Sequence, residues 1–135
     1  MRVFLDTNVL VSAFATRGLC SDLFELVLVE HDLVLGCHVI DELSRSLRRK
    51  IKLSAGSVKE IVEFVSSEAS QFIGESRPSG AKVGQADARI LGEALASRAD
   101  VFVTGDAALL RLRTVQDMKI ASPRGFWEML QAGGK

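Results

Sequence analysis

The chain alternates short apolar runs with longer stretches in which apolar residues recur every three or four positions. A run of about four successive apolar residues is too short for a helix and predicts a strand buried on both faces. Such strands are typical of a parallel sheet that helices cover on both sides. The predicted strands are residues 2–5, 33–36, 101–104 and 118–121, with a short edge strand at 72–73.

Helical periodicity fills most of the sequence between these strands. Ser21 is predicted to cap a helix that ends at Glu30, and Ser57–Glu60 matches a capping box. Ser122, followed by proline, is typical of the start of a final helix. The other predicted helices begin just after residue 8, at about residue 38 and at residue 85.

This alternation predicts an α/β fold, a three-layer α/β/α sandwich with a central parallel sheet. The 135 residues fit one domain, predicted to span residues 1–131, with a disordered tail at 132–135. No apolar segment is long enough to cross a bilayer and the first residues do not form a signal peptide, so a cytoplasmic location is expected. In that reducing compartment, Cys20 and Cys37 are expected to be small core residues.

The formal net charge is zero and the pI is about 6.7. Binding of nucleic acid through a large positive field is therefore not expected, and a nucleic-acid partner would need a local basic patch.

Two carboxylates come after predicted strands. Asp6 follows strand 2–5 directly, and Asp106 follows strand 101–104 after one glycine. Because open α/β sheets bind ligands at the carboxyl ends of their strands, both acids are expected at one edge of the sheet. Each also has a structural explanation, Asp6 as the start of an Asx-turn and Asp106 as the cap of a short helix.

Asp87 shares a helical stripe with the apolar residues Ile90 and Leu91, so it is expected to point inward. A carboxylate in that position needs a partner, such as a metal ion, or a raised pKa. Its place in the first turn, where the helix dipole favours acids, explains its charge but not its direction.

Glu42 and Asp41 both lie off the apolar stripe of their helix, and the pattern does not choose between them. Asp41 could pair with Arg45 four residues further on. Arg45 and Arg49 share a face with Glu42 and could hold a phosphate backbone. The alternative is a solvated helix end whose cations suit the dipole.

Four segments, whose order and spacing cover nearly the whole chain, are similar to a known family. They are FLDTNVLVSA at 4–13, IDELSRSL at 40–47, DARILGEAL at 87–95 and VFVTGDAALL at 101–110. The chain resembles the PIN-domain family of metal-dependent ribonucleases, in particular its compact toxin members. The resemblance selects Glu42 over Asp41, and it implies that Asn8 and Thr104 support the acidic cluster. The catalytic acids that it implies are Asp6, Glu42, Asp87 and Asp106.

A ligand set that contains only oxygen atoms favours Mg²⁺ or Mn²⁺ over zinc. The expected metal ligands are Asp6, Asp87 and Asp106. The expected reaction is hydrolysis of RNA phosphodiester bonds by a metal-bound water. The resemblance further implies the toxin of a type II toxin–antitoxin pair, a small antitoxin partner and a homodimer.

One departure from the family pattern leaves an alternative open. Many relatives carry several acids just before the position of Asp87, whereas KVGQAD at 82–87 contains one. The alternative is a catalytically weakened RNA- or protein-binding module. A haloacid-dehalogenase-like phosphatase is disfavoured because Asn8 stands where it needs a second acid.

Overall fold

The strands of the computed structural model are β1 Arg2–Leu5, β2 Asp32–Gly36, β3 Gln71–Ile73, β4 Val101–Val103, β5 Thr114–Val115 and β6 Met118–Ala121. The structure describes residues 1–133, and within them these strands form one sheet in the order β3-β2-β1-β4-β6-β5. All neighbouring strands are parallel except β5 and β6, which are antiparallel.

The helices are α1 Thr7–Ala15, α2 Leu19–Glu30, α3 Cys37–Arg49, α4 Ala55–Glu68, α5 Gln85–Ala96, α6 Ala107–Leu110 and α7 Pro123–Gly133. They flank the central sheet, so the predicted α/β sandwich is confirmed. Within residues 1–133, no helix combines the length and the apolar character needed to cross a membrane.

The sheet differs from the prediction at one edge, where β5 was missed and makes the sheet mostly rather than wholly parallel. β5 has two residues and pairs with β6 across a tight turn. A ladder this short leaves no periodicity in the sequence. The turn gives no sign either, because its left-handed position holds Gln116, at a φ of 53°, instead of the usual glycine or asparagine.

Two helices begin earlier than predicted. α2 starts at Leu19 with Gly18 as its N-cap, so Ser21 lies inside the first turn. α4 is capped by Ser54, whose Oγ accepts a hydrogen bond from the Ser57 amide at 3.1 Å. The capping-box pattern at Ser57 was therefore wrong by three residues, because Ser54 is the cap and Ser57 is the third residue of the helix, which donates its amide to that cap.

The final helix begins as predicted, since Ser122 Oγ accepts a hydrogen bond from the Gly125 amide at 2.9 Å. It continues to Gly133, which places the first two residues of the predicted tail in a helix. The residues just before Gly133 are good helix formers, which explains why the helix extends into the predicted tail. Residues 134–135 lie outside the described residues.

The strand ends determine where a site can form. Leu5 pairs with Val103, so β1 and β4 end level with each other. Gly36 pairs with Ile73, so β2 and β3 also end together. The segments that follow these four strands therefore begin at one edge of the sheet, the edge at which open α/β folds bind their ligands.

Candidate active site

Asp6 lies at the junction between β1 and α1 and serves both elements. Its backbone amide donates to the Val103 carbonyl at 2.9 Å, which continues the ladder between β1 and β4. Its Oδ1 accepts a hydrogen bond from the Thr7 amide at 2.8 Å and so caps α1. The side chain is buried, with 4% of the residue exposed. This bond comes from the next residue in the chain, whereas an Asx-turn uses the amide two residues on, so Asp6 acts as a helix cap and not as the expected Asx-turn. The cap uses Oδ1 and leaves Oδ2 for the site.

Thr104 and Asn8 hold that second carboxylate oxygen. Thr104 Oγ1 donates to Asp6 Oδ2 at 2.8 Å, and Asn8 Nδ2 donates to the same atom at 3.3 Å. Asn8 Oδ1 accepts a hydrogen bond from the Gly105 amide at 3.0 Å. The two expected supporting residues therefore connect the start of α1 to the loop that follows β4.

Asp106 ends this loop and caps α6. Its Oδ1 accepts hydrogen bonds from the amides of Ala108 at 2.8 Å and Leu109 at 3.2 Å. Its own amide donates to Thr104 Oγ1 at 3.0 Å. Both capping bonds use Oδ1, so the structural explanation for Asp106 holds and Oδ2 remains for another ligand.

The structure gives Glu42 and Asp41 different partners. Glu42 accepts a hydrogen bond from Thr7 Oγ1 at 2.9 Å, which joins α3 to the start of α1 beside Asp6. Asp41 is exposed and pairs with Arg45 at 2.7 Å. The residue that the resemblance selected is the one that reaches the other acids.

A cleft of about 380 Å³ brings Asp6, Glu42 and Asp106 together with Asp87, from the first turn of α5. The sequence had placed these four acids on different elements, up to a hundred residues apart. The uncharged polar side chains of Thr7, Asn8, Ser12 and Ser46 share the cleft, as does Lys50.

The acids of the cleft disfavour one another's charged forms. Burial raises the pKa of Asp6 to about 6, the hydrogen bonds it accepts oppose that rise, and the charges of Asp87 and Glu42 add to it. The pKa of Asp87 is also raised, by burial first and then by the charges of Asp106 and Glu42. A divalent cation would relieve this repulsion. The donors fit such an ion, because clustered carboxylate oxygens are ligands that suit Mg²⁺ and Mn²⁺.

A basic groove of about 300 Å³ adjoins the acidic cleft along α3, and Glu42 and Lys50 line both. Arg45 and Arg49 line the groove, as expected. Arg45 is already engaged by Asp41. Among residues 1–133, Arg49 takes part in no ion pair. The two arginines are therefore not equivalent as phosphate ligands.

The sequence matches a family model described as a PIN domain over residues 2–108. The chain belongs to the PIN-domain family. This confirms the resemblance drawn from the four sequence segments. Three of them lie within the matched range, and the fourth, at 101–110, extends two residues beyond it. No protein of curated function gives a significant match to the chain.

Solved structures with similar folds extend the comparison. VapBC2 from Rickettsia felis, described as bound to a DNA fragment from its promoter, has a TM-score of 0.66 at 17% identity, covering 90% of this PIN domain and 98% of that chain. VapBC-1 from nontypeable Haemophilus influenzae has a TM-score of 0.63 at 16% identity, with 92% and 99% covered. FitAB, described as bound to a DNA fragment, has a TM-score of 0.58 at 17% identity, with 90% and 94% covered. At these identities the similarity establishes the shared fold.

Sequence reasoning missed three polar residues of this PIN domain's cleft, Thr7, Ser12 and Ser46. Thr7 orients Glu42, and nothing in the sequence marks it except its place next to Asp6. Lys50 carries a positive charge into the acidic cleft. The signal for Ser46 was present, because Glu42, Ser46 and Lys50 are spaced four residues apart along one helical face.

Glu93 was also missed, and it lies outside the cleft. It is completely buried on α5, and its Oε2 accepts hydrogen bonds from the His38 amide at 2.7 Å and from the Cys37 thiol at 3.2 Å. The proposed nuclease chemistry gives no role to this buried carboxylate.

Proposed function

We propose that this PIN domain is a divalent-metal-dependent endoribonuclease that hydrolyses RNA phosphodiester bonds. The observation that carries the proposal is the convergence of four carboxylates in one cleft, with the pKa of Asp6 raised to about 6 by burial and by its acidic neighbours. Such a cluster is costly unless a cation binds to it, and perturbed carboxylates in a cleft are typical of functional sites.

Asp6, Asp87 and Asp106 would hold Mg²⁺ or Mn²⁺, with Glu42 as the fourth catalytic acid. When bound, the ion supplies an activated water and stabilises charge on the phosphoryl oxygens. Thr104 and Asn8 keep the Asp6 carboxylate in one orientation through Oδ2. Thr7 does the same for Glu42. This network fixes the acids in place before a substrate arrives, which reduces the reorganisation needed during the reaction.

The basic groove along α3 would receive the RNA backbone. Lys50 borders both the groove and the cleft, and Arg49 extends the positive charge away from the acids. Since Arg45 is engaged by Asp41, we expect Arg49→Ala to weaken RNA binding more than Arg45→Ala does. In a plot of the logarithm of affinity against the logarithm of salt concentration, the slope should become less steep by about 0.7 for each phosphate contact removed. Lys59→Ala, on the exposed face of α4, is the matched control.

Cleavage of RNA on a denaturing gel tests the nuclease, with Glu42→Gln compared against Asp41→Asn. These residues are adjacent acids on one helix, and only Glu42 contacts the cluster. We expect metal-dependent cleavage that falls by at least about 100-fold in Glu42→Gln and Asp87→Asn. Asp41→Asn should cleave within about twofold of the wild type. An equal loss in Asp41→Asn and Glu42→Gln would contradict the assignment.

The single acid within KVGQAD favours a second candidate, a catalytically weakened RNA- or protein-binding module. Calorimetric titration with Mg²⁺ and Mn²⁺ separates the two functions. Metal binding that Asp6→Asn abolishes, without cleavage of any RNA offered, would favour the module. Metal-dependent cleavage that Asp87→Asn abolishes would exclude it.

We further propose that the protein is the toxin of a type II toxin–antitoxin pair and acts in the cytoplasm. The four sequence segments shared with PIN-domain toxins support this, as does the fold shared with VapBC2, VapBC-1 and FitAB. Expression of the chain alone should arrest growth, and the small protein encoded beside it should relieve that arrest by binding. Growth arrest that persists in Asp87→Asn would show that toxicity does not come from cleavage.

A homodimer is part of the same proposal. The apolar residues of α2 are more numerous than one helical face needs, so the sequence allows an interface there but favours a place in the core. Leu23 and Phe24 are buried within the domain, and Leu26 and Leu28 are half-buried. Most of this apolar surface is thus already covered, which leaves little of it for a partner. Light scattering at micromolar concentration is the direct measurement, and a monomeric mass would refute the dimer.

A further inference from the structure

A second group of metal-binding side chains lies at the carboxyl edge of β2 and β3, outside the acidic cleft. Cys37 and His38 follow β2 directly, and Glu75 follows β3 after one residue. Because Gly36 and Ile73 are paired in register, these segments leave the sheet side by side. One donor atom from each of Cys37, His38 and Glu75 lies within 4.8 Å of those of the other two.

Glu93 reaches this group from α5 and organises it. Its Oε2 lies 2.6 Å from His38 Nδ1 and 3.2 Å from Cys37 Sγ. His38 Nδ1 also lies 3.6 Å from Cys37 Sγ, and because this carboxylate engages Nδ1, a metal ion would bind through Nε2. A histidine held by a carboxylate through one nitrogen while the other binds a metal is a recurrent arrangement at zinc sites.

The Glu93 carboxylate is not fully satisfied by these contacts. The residue is completely buried, and among residues 1–133 its Oε1 has no hydrogen-bond partner. A Cβ at Gly36 would overlap the carboxylate, so the fold keeps space for it at this position. A buried carboxylate with an unpaired oxygen is costly, and a nearby cation would compensate for its charge.

We propose that Cys37, His38 and Glu75 bind Zn²⁺, with Glu93 holding the His38 ring in place. A thiolate and an imidazole are ligands that zinc prefers and that Mg²⁺ does not. Cys37 would release its proton to solvent as its sulfur binds the ion. Three protein ligands leave a fourth position for water.

The thiol of Cys37 does not suggest a different role. Its pKa is raised to about 11, first by burial and then by the hydrogen bond to Glu93 and by the charges of Glu93 and Glu75. Without a cation the group stays protonated at neutral pH, which is the opposite of an activated nucleophile or a redox-sensing thiol. The carboxylates of Glu93 and Glu75 beside it favour a positive charge at this position.

The location of the ion would connect it to the nuclease cleft without placing it there. His38 lies one helical turn before Glu42 on α3, and Glu93 lies on α5, the helix that carries Asp87. Zinc would therefore connect the segment after β3 to the two helices that present these acids. It should stabilise the folded chain by mass action.

Cobalt replaces zinc in such sites and reports on the ligands, because a thiolate bound to Co²⁺ absorbs strongly in the near ultraviolet. We expect about one equivalent of Co²⁺ to produce this band in the wild-type protein, and Zn²⁺ to remove it. Cys37→Ser should abolish the band, while Cys20→Ser, at the other free cysteine, should keep it. Asp6→Asn should also keep it, since the acidic cleft contains no sulfur.

The remaining ligands are tested by affinity. Glu75 is exposed, so Glu75→Gln should leave the fold intact and weaken Co²⁺ binding by at least about tenfold. His38→Gln should weaken it at least as much. A wild-type protein without the band, a band that survives in Cys37→Ser, or an unchanged affinity in Glu75→Gln would overturn the proposal. In those cases the cluster is an ion pair between His38 and Glu93 with a thiol beside it. Because Co²⁺ absorbance and Co²⁺ affinity do not involve RNA, the result for this zinc site is independent of the result for the proposed nuclease.

Discussion

Asp6 should make the metal-free protein less stable as the pH rises. Its pKa is 3.8 in an unfolded chain and about 6 in the folded protein, because burial and the neighbouring acids disfavour the charged form. A group whose pKa is raised by folding stabilises the folded state fully below the unfolded pKa. That stabilisation is lost as the pH rises through the folded pKa.

The magnitude follows from the size of the shift. At about 1.4 kcal/mol per unit, the change from 3.8 to about 6 corresponds to about 3 kcal/mol in total. Part of this stabilisation is already lost at about pH 4.5, the lowest pH that the experiment would use. Between about pH 4.5 and about pH 7.5, the expected loss in the free energy of unfolding is about 2 kcal/mol.

Urea unfolding in the presence of a chelator measures this loss, with the fluorescence of Trp127, the single tryptophan, as the signal. Other groups titrate over the same range, so the informative quantity is the wild-type free energy minus that of Asp6→Asn. The substitution removes the titrating group, and any constant cost of the amide cancels when the difference is followed over pH.

We expect this difference to fall by about 2 kcal/mol as the pH rises to about 7.5. Mg²⁺ or Mn²⁺ should restore most of the loss in the wild type but not in Asp6→Asn. A difference that stays constant to within about 0.5 kcal/mol would refute the reasoning, since Asp6 would then titrate as it does in an unfolded chain.

Three further substitutions, two of them paired with a control substitution, test other parts of the structure. Ser54→Ala should lower the free energy of unfolding by about 1 kcal/mol through loss of the α4 cap, whereas Ser21→Ala should change it by less than about 0.5 kcal/mol. Gly36→Ala should cost about 2 to 4 kcal/mol, because its Cβ overlaps a buried carboxylate. Gly56→Ala, a helical position with open space around it, should instead stabilise the protein by up to about 1 kcal/mol in the same urea titration. Thr104→Val should leave the fold intact yet reduce metal-dependent cleavage by about tenfold or more, because Asp6 Oδ2 loses the shorter of the two hydrogen bonds that hold it.

The parts of the fold that could be predicted are those in which local pattern and burial agree. Residues 2–5 and 101–104 are apolar on both faces and end at acids, and the strands found there are β1 and β4. β5 could not be predicted, because two residues are too few to show a pattern. The turn after it is not visible in the sequence either, because Gln116 occupies the left-handed position where glycine or asparagine is usual. The start of α4 was misplaced because Ser54 and Ser57, three residues apart, are both suitable N-cap residues, and the sequence does not show which of them caps the helix.

The candidate site was predictable to a similar extent and for a related reason. Acids at strand ends are visible in a sequence, and parallel topology brings them to one edge. Glu93 gave no such signal. It lies in the interior of α5, where its burial depends on the absence of a side chain at Gly36 on a distant strand. A helical pattern describes one helix at a time, so a space provided by another element cannot be read from it.

The charges of the cleft and the groove would couple the proposed metal binding to the proposed RNA binding. Without a cation, the four carboxylates of the cleft repel a phosphate backbone that approaches Arg49 and Lys50. A divalent ion offsets much of that negative charge, and the attraction of the basic groove then acts with less opposition. By thermodynamic reciprocity, bound RNA must tighten metal binding by the same factor. On the proposed function, a chain with a formal net charge of zero would therefore bind RNA through a local arrangement of charge that is complete only when the metal is present.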